Sequence, residues 1–134
     1  MGRLGEITRI ERTDIDGDKI ALLTVDFGGG DVITAPYIPQ PQDDGLPIEG
    51  DTALVVELEG DPGEYMALAV LDVTFDGVAG KGERVIRSRD GDGATIATVW
   101  LKADGTVKID NDSGYIELKA DGQANINGRF TVDP

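Results

Sequence analysis

The chain is predicted to be all-β, a small barrel followed by a ladder of very short strands. Three observations predict this. Apolar residues alternate with polar ones instead of recurring at helical spacing. The 19 glycines fall largely in Asp-Gly and Gly-Gly clusters that suit tight turns between short strands. One strand–turn–strand segment is also written twice: Leu101-Lys102-Ala103-Asp104-Gly105 returns 17 residues later as Leu118-Lys119-Ala120-Asp121-Gly122, and Ile109 returns as Ile126.

Residues 5–12 alternate as a strand, with Ile7 and Ile10 set among polar neighbours, and the phase slip between them predicts a bulge. Asp14-Ile15-Asp16-Gly17-Asp18 is a turn. Lys19 to Phe27 is a second strand, with Ala21, Leu23, Val25 and Phe27 on one face. Gly28-Gly29-Gly30-Asp31 ends it, and Val32 to Tyr37 is a third. Pro36, Pro39, Pro41 and Pro47 mark a loop over 36–50, because proline cannot donate to a ladder. Thr52 to Leu58 and Glu64 to Asp72 are the fourth and fifth strands, joined by a turn at Gly60-Asp61-Pro62-Gly63. Five short strands without a helix predict a barrel over 1–72. Residues 73–82, with Gly77, Gly80 and Gly82, form a junction.

Beyond it, in 83–134, Asp-Gly turns separate strands of about five residues whose faces sort cleanly. Val99, Leu101, Val107, Ile109, Ile116, Leu118, Ala124, Ile126, Phe130 and Val132 take one side. Lys102, Lys108, Asp110, Glu117, Lys119, Asn125, Asn127, Arg129 and Asp133 take the other. Such a ladder buries little by itself and leaves two open edges. Three chains around one axis would enclose the apolar stripes and pair the edges, and the same reasoning admits two or four.

Composition removes several classes of function. The chain has no cysteine and no histidine, which excludes disulfides, thiolate chemistry, Cys/His zinc sites and a Ser-His-Asp triad. The two serines, Ser88 and Ser113, sit in turn-like polar contexts. The formal net charge is −14, with 18 Asp among 26 acidic residues and five Lys among 12 basic ones. That field opposes nucleic-acid phosphates and anionic lipid. It also fits adaptation to high salt, where screening relieves self-repulsion. No apolar run reaches the length of a membrane-spanning helix, and the first residues lack the apolar core of a secretory signal.

The segment Gly82-Glu83-Arg84-Val85-Ile86-Arg87-Ser88-Arg89-Asp90, followed by Val99-Trp100-Leu101-Lys102-Ala103-Asp104-Gly105-Thr106-Val107-Lys108-Ile109, resembles the central spike family of phage baseplates. This is the baseplate assembly protein V group, with its Mu-type tail spike. Pro47-Ile48-Glu49-Gly50-Asp51 resembles the proline-led approach to a strand in that family's OB-fold domain. The resemblance implies an N-terminal OB-fold collar over 1–72 and a short, intertwined trimeric β-helix over 83–134. It further implies a non-enzymatic virion protein, a homotrimer on the axis of a tail. Its partners would be tail hub and tube proteins, a separate tip protein and the host envelope, with no cofactor and no nucleic acid. Many members end in a His-X-His apex that holds iron. With no histidine here, the iron tip is expected to be absent.

Other constellations weigh less. Asp14 to Asp18 lacks the glycine position and distal Glu of an EF-hand loop, so a hairpin turn is the better reading. The Asp-Gly pairs do not follow the nine-residue period of calcium-binding β-rolls. Nothing singles out one pair of the 26 acids for glycoside hydrolysis. Arg3, Arg9 and Arg12 are candidate collar contacts to an acidic partner surface, and Trp100, on the polar face of its strand, is another. The aromatics available for stacking in the barrel are Phe27, Tyr37, Tyr65 and Phe75. The alternative to a spike is an OB-fold carbohydrate or receptor-binding module with a β-structured stalk, which would depend on Tyr37 or Trp100.

Overall fold

The computed structural model describes residues 2–41, 44–74 and 77–129. Among them are ten strands and no helix. The chain divides into two compact units, Met1–Phe75 and Asp76–Pro134, each built on one five-stranded antiparallel sheet.

In the first unit the strands are β1 (Gly2–Ile15), β2 (Asp18–Asp26), β3 (Val32–Pro36), β4 (Thr52–Glu57) and β5 (Tyr65–Leu71), in the order β3-β2-β1-β4-β5. β1 is longer than the alternation over 5–12 predicts because it serves two neighbours. Residues 2–6 pair with β4 and residues 6–15 with β2. The predicted slip is a register shift between Ile7 and Arg9. It keeps Ile7 buried while the strand changes partners. A single parallel bridge, Tyr37 to Ala67, links the third and fifth strands, with the Ile38 N–H donating to the Ala67 carbonyl at 2.9 Å.

The core of this unit is small and aliphatic. Ile7, Leu23, Val25, Ala35, Ala53, Val55 and Ala67 are buried, with Phe27, Tyr37 and Tyr65 packed against them. Asp16 and Gly17 both take positive φ, 53° and 87°, and make the two-residue hairpin between β1 and β2. Asp51, which reads in sequence as the entry to the fourth strand, is 2% exposed. Its carboxylate accepts the Ile48 N–H at 3.1 Å and the Val73 N–H at 3.3 Å, which ties the proline-rich loop to the chain beyond β5.

The second unit is a meander of β6 (Arg84–Arg89), β7 (Thr95–Leu101), β8 (Val107–Asn111), β9 (Gly114–Leu118) and β10 (Ala124–Asn127), each strand pairing with the next. Ser88 belongs to β6, not to a turn, because the strand continues pairing with β7 as far as Arg89. Three hairpin loops are copies of one design. The Gly105 N–H donates to the Lys102 carbonyl (3.1 Å), Gly122 to Lys119 (2.9 Å) and Gly93 to Asp90 (3.1 Å). Each of these glycines has φ near 90°, the left-handed residue that closes a three-residue hairpin loop. The preceding turn aspartates hold the geometry: Asp104 accepts the Thr106 N–H at 2.8 Å and Asp121 the Gln123 N–H at 3.0 Å. Asn111 does the same between β8 and β9, accepting the N–H groups of Ser113 and Gly114. The Gly105 and Gly122 loops are the physical content of the 17-residue repeat.

Candidate functional site

Pairing in the second unit carries side chains straight across five strands. Ile86, Val99, Ile109, Ile116 and Ile126 stand opposite one another in one row. Arg84, Leu101, Val107, Leu118 and Ala124 make the row beside it on the same face. Eight of the ten residues assigned to the apolar stripe are therefore on one face, while Phe130 and Val132 lie outside the described residues. Phe75 of the first unit also lies outside them. β6 and its Ile86 were not among the sequence expectations. The signal was weak, because Ile86 is the one apolar residue between Arg84 and Ser88 on its face.

The exposure of the two faces is inverted. Ile109 is 49% exposed, Leu118 50%, Ile116 52% and Ile126 58%. On the reverse side Trp100, Lys108, Asp110, Tyr115 and Glu117 are half-buried, because they cover each other. Thr98 Oγ1 donates to Asp110 at 2.7 Å, and Lys108 Nζ lies 3.5 Å from the same carboxylate and 5.0 Å above the Tyr115 ring. Lys102 lies 5.0 Å from the Trp100 ring centre. Polar side chains thus form a closed layer, while isoleucines face outward. Isolated exposed leucines are ordinary, but a contiguous apolar sheet face marks an interaction surface.

Glu83 was not singled out from the sequence for any role. Its Oε2 accepts the Gly80 N–H (2.9 Å) and the Trp100 indole N–H (3.0 Å), and its Oε1 accepts the Ala103 N–H (3.2 Å). These bonds, the Gly80 one foremost, hold its carboxyl below the usual glutamate range. Asp104 is lowered as well, chiefly by the Thr106 N–H. Trp100, a candidate collar contact, therefore has its one polar atom committed to Glu83 inside its own unit.

The three arginines of the first unit also have acidic neighbours in the chain. Arg3 pairs with Asp31 and lies 4.2 Å above the Phe27 ring, Arg9 pairs with Glu11, and Arg12 bonds Asp44 at 2.9 Å. Tyr37 packs on the core beside a 300 Å³ cleft lined by Arg12, Lys19, Ile20 and Leu46. Tyr37 and Trp100 lie in different units. Among the described residues no cluster of acids is arranged to hold a metal ion, and no helix is long and apolar enough to cross a membrane.

The class these observations define is an all-β chain of two antiparallel sheets, one of which presents an uncovered apolar face. Comparison with models of known protein families and with curated proteins finds no match.

Proposed function

We propose that this chain is a structural, non-enzymatic assembly protein whose three copies close around their apolar faces as the central spike of a virus tail. The single observation that carries this reading is the exposed apolar face of the second sheet. Three such sheets set as the sides of a prism would place the isoleucine rows on a common axis and the closed polar layers outside. In this reading the second unit is one side of a short trimeric β-helix.

The first unit is read as an OB-type barrel that forms the collar. The long β1 shared between β2 and β4, the order β3-β2-β1-β4-β5 and the parallel Tyr37–Ala67 bridge support it. The collar would seat on tail hub and tube proteins, and a separate protein would cap the tip. The resemblance of the segment 82–109 to baseplate spikes supports placing the assembly on a virion. Light scattering on the purified chain at high salt tests the proposal. A mass of three chains is expected, and a monomer at micromolar concentration would sink it.

A further inference from the structure

We propose that neighbouring copies meet flank to flank: the small-residue side of one apolar face packs against the large-residue side of the next, with all copies parallel and each strand level with its counterpart. This rests on the assembly reading above and specifies how its interface is built.

The apolar face has three rows, not two. On one side of the central isoleucine row stand Arg84, Leu101, Val107 and Leu118. On the other stand Ser88, Ala97, Asn111 and Gly114, again in register. Consecutive strands run in opposite directions, so a small residue reaches the same flank only if its sequence position alternates. It does. Ser88 follows Ile86, Ala97 precedes Val99, Asn111 follows Ile109 and Gly114 precedes Ile116. The face therefore slopes from bulky to small along β6, β7, β8 and β9, while β10 places the small Ala124 on the bulky flank.

The small side is a shallow 500 Å³ depression bordered by Ala97, Ile109, Asn111, Gly114, Ile116 and Ile126; Arg129 also lines it, as does Asp110, whose carboxylate is held by Thr98 and Lys108 on the reverse face. A close-packed interface leaves no such space empty, because a gap forfeits dispersion contacts on both walls. The bulky flank of the same face offers Leu101, Val107 and Leu118 at the same strand levels. Parallel copies bring bulk to depression. Antiparallel copies bring depression to depression and leucine to leucine.

Charge favours a second copy as the occupant. The net charge is −14, yet none of these rows carries a carboxylate. Two copies can meet here without opposing their acids. The one charged side chain within the three rows, Arg84, is level with the Ser88 hydroxyl of the adjoining copy, an acceptor for its guanidinium. A flank-to-opposite-flank contact is heterologous, and closing it after three copies makes a ring.

The chain has no cysteine, so cross-linking can be clean. Ala97→Cys and Leu101→Cys, combined in one chain, place the two thiols about 13 Å apart along one strand, too far for bismaleimidoethane to join them within a chain. Treated with that reagent, the double variant is expected to run as a covalent trimer on a denaturing gel, and each single variant as a monomer. The pair Arg84→Cys and Ser88→Cys, at exposed positions of the edge strand β6, gives the same pattern if the β7 pair disturbs folding. Dimers from Ala97→Cys alone would overturn the proposal, as would products that stop at dimers. A trimeric mass by light scattering without cross-linked trimer in either pair overturns the flank arrangement alone. A monomeric mass overturns the assembly reading beneath it.

Discussion

Ile109→Asp is the most direct perturbation. Ile109 lies in the middle strand, between Val99 and Ile116, and is 49% exposed. Burying a whole isoleucine side chain contributes about 1.5–3 kcal/mol, so covering its exposed half contributes about 1 kcal/mol per chain. A carboxylate at this position loses that and leaves an unpaired charge in a dry interface, at about 3–5 kcal/mol. Three chains together lose roughly 12–18 kcal/mol. At about 1.4 kcal/mol per decade, the trimer's dissociation constant rises by roughly nine to thirteen orders of magnitude. Size-exclusion chromatography with light scattering should find monomer at micromolar concentration. Lys108→Ala, one residue away on the opposite face, removes a partly exposed ion pair to Asp110 and a contact with Tyr115. It should cost under about 1 kcal/mol and leave the mass unchanged. A stable Ile109→Asp trimer, or a dissociated Lys108→Ala, would refute the face assignment.

Gly114→Ala places a methyl group against the Asn127 carbonyl oxygen, far inside van der Waals contact with the backbone of Asn127 and Gly128. It should lower thermal stability by about 1–3 kcal/mol, read as an earlier loss of β-sheet circular dichroism. Asp51→Ala leaves the Ile48 and Val73 N–H groups without their carboxylate acceptor and should destabilise the first unit by about 1–3 kcal/mol in a urea titration, with Asp51→Asn intermediate. Glu83, whose folded pKa is lowered from 4.5, stabilises the second unit above that pH, and the contribution disappears as pH falls through the folded value. Trp100 is the only tryptophan and bonds Glu83, so its fluorescence follows the change. Glu83→Gln should flatten the acid limb of that profile below pH 4.5, and an unchanged limb would show that the clamp does not matter.

What was legible in the sequence depended on how locally it was encoded. The bulge at Ile7 showed because alternation lost a step there, and the hairpins showed because Asp-Gly chemistry is confined to a few residues. The apolar stripe showed because strand period is two. The first three residues of β1 hid their strand, since Leu4 is their one large apolar residue and their pairing is with β4, some fifty positions away. Asp51 showed only as the entry to a strand, because nothing local marks a carboxylate that bonds an amide 22 residues later. Trp100 was placed on the correct face, but its partner Glu83 is 17 residues off and across a strand, beyond any periodic signal.

The inverted exposure of the second sheet explains why these two kinds of information divide as they do. A sheet that relied on its apolar face for register could not present that face to a partner. Here register is fixed elsewhere, by three loops closed with left-handed glycines and aspartate caps, and by a polar layer in which Lys108, Asp110, Thr98 and Tyr115 satisfy one another. A one-residue slip would break every turn hydrogen bond before any apolar contact was at stake. The isoleucine rows are thereby released from holding the chain in register and can be shaped for fit to a neighbour. A size gradient that repeats across four strands of alternating direction is the kind of pattern such freedom permits.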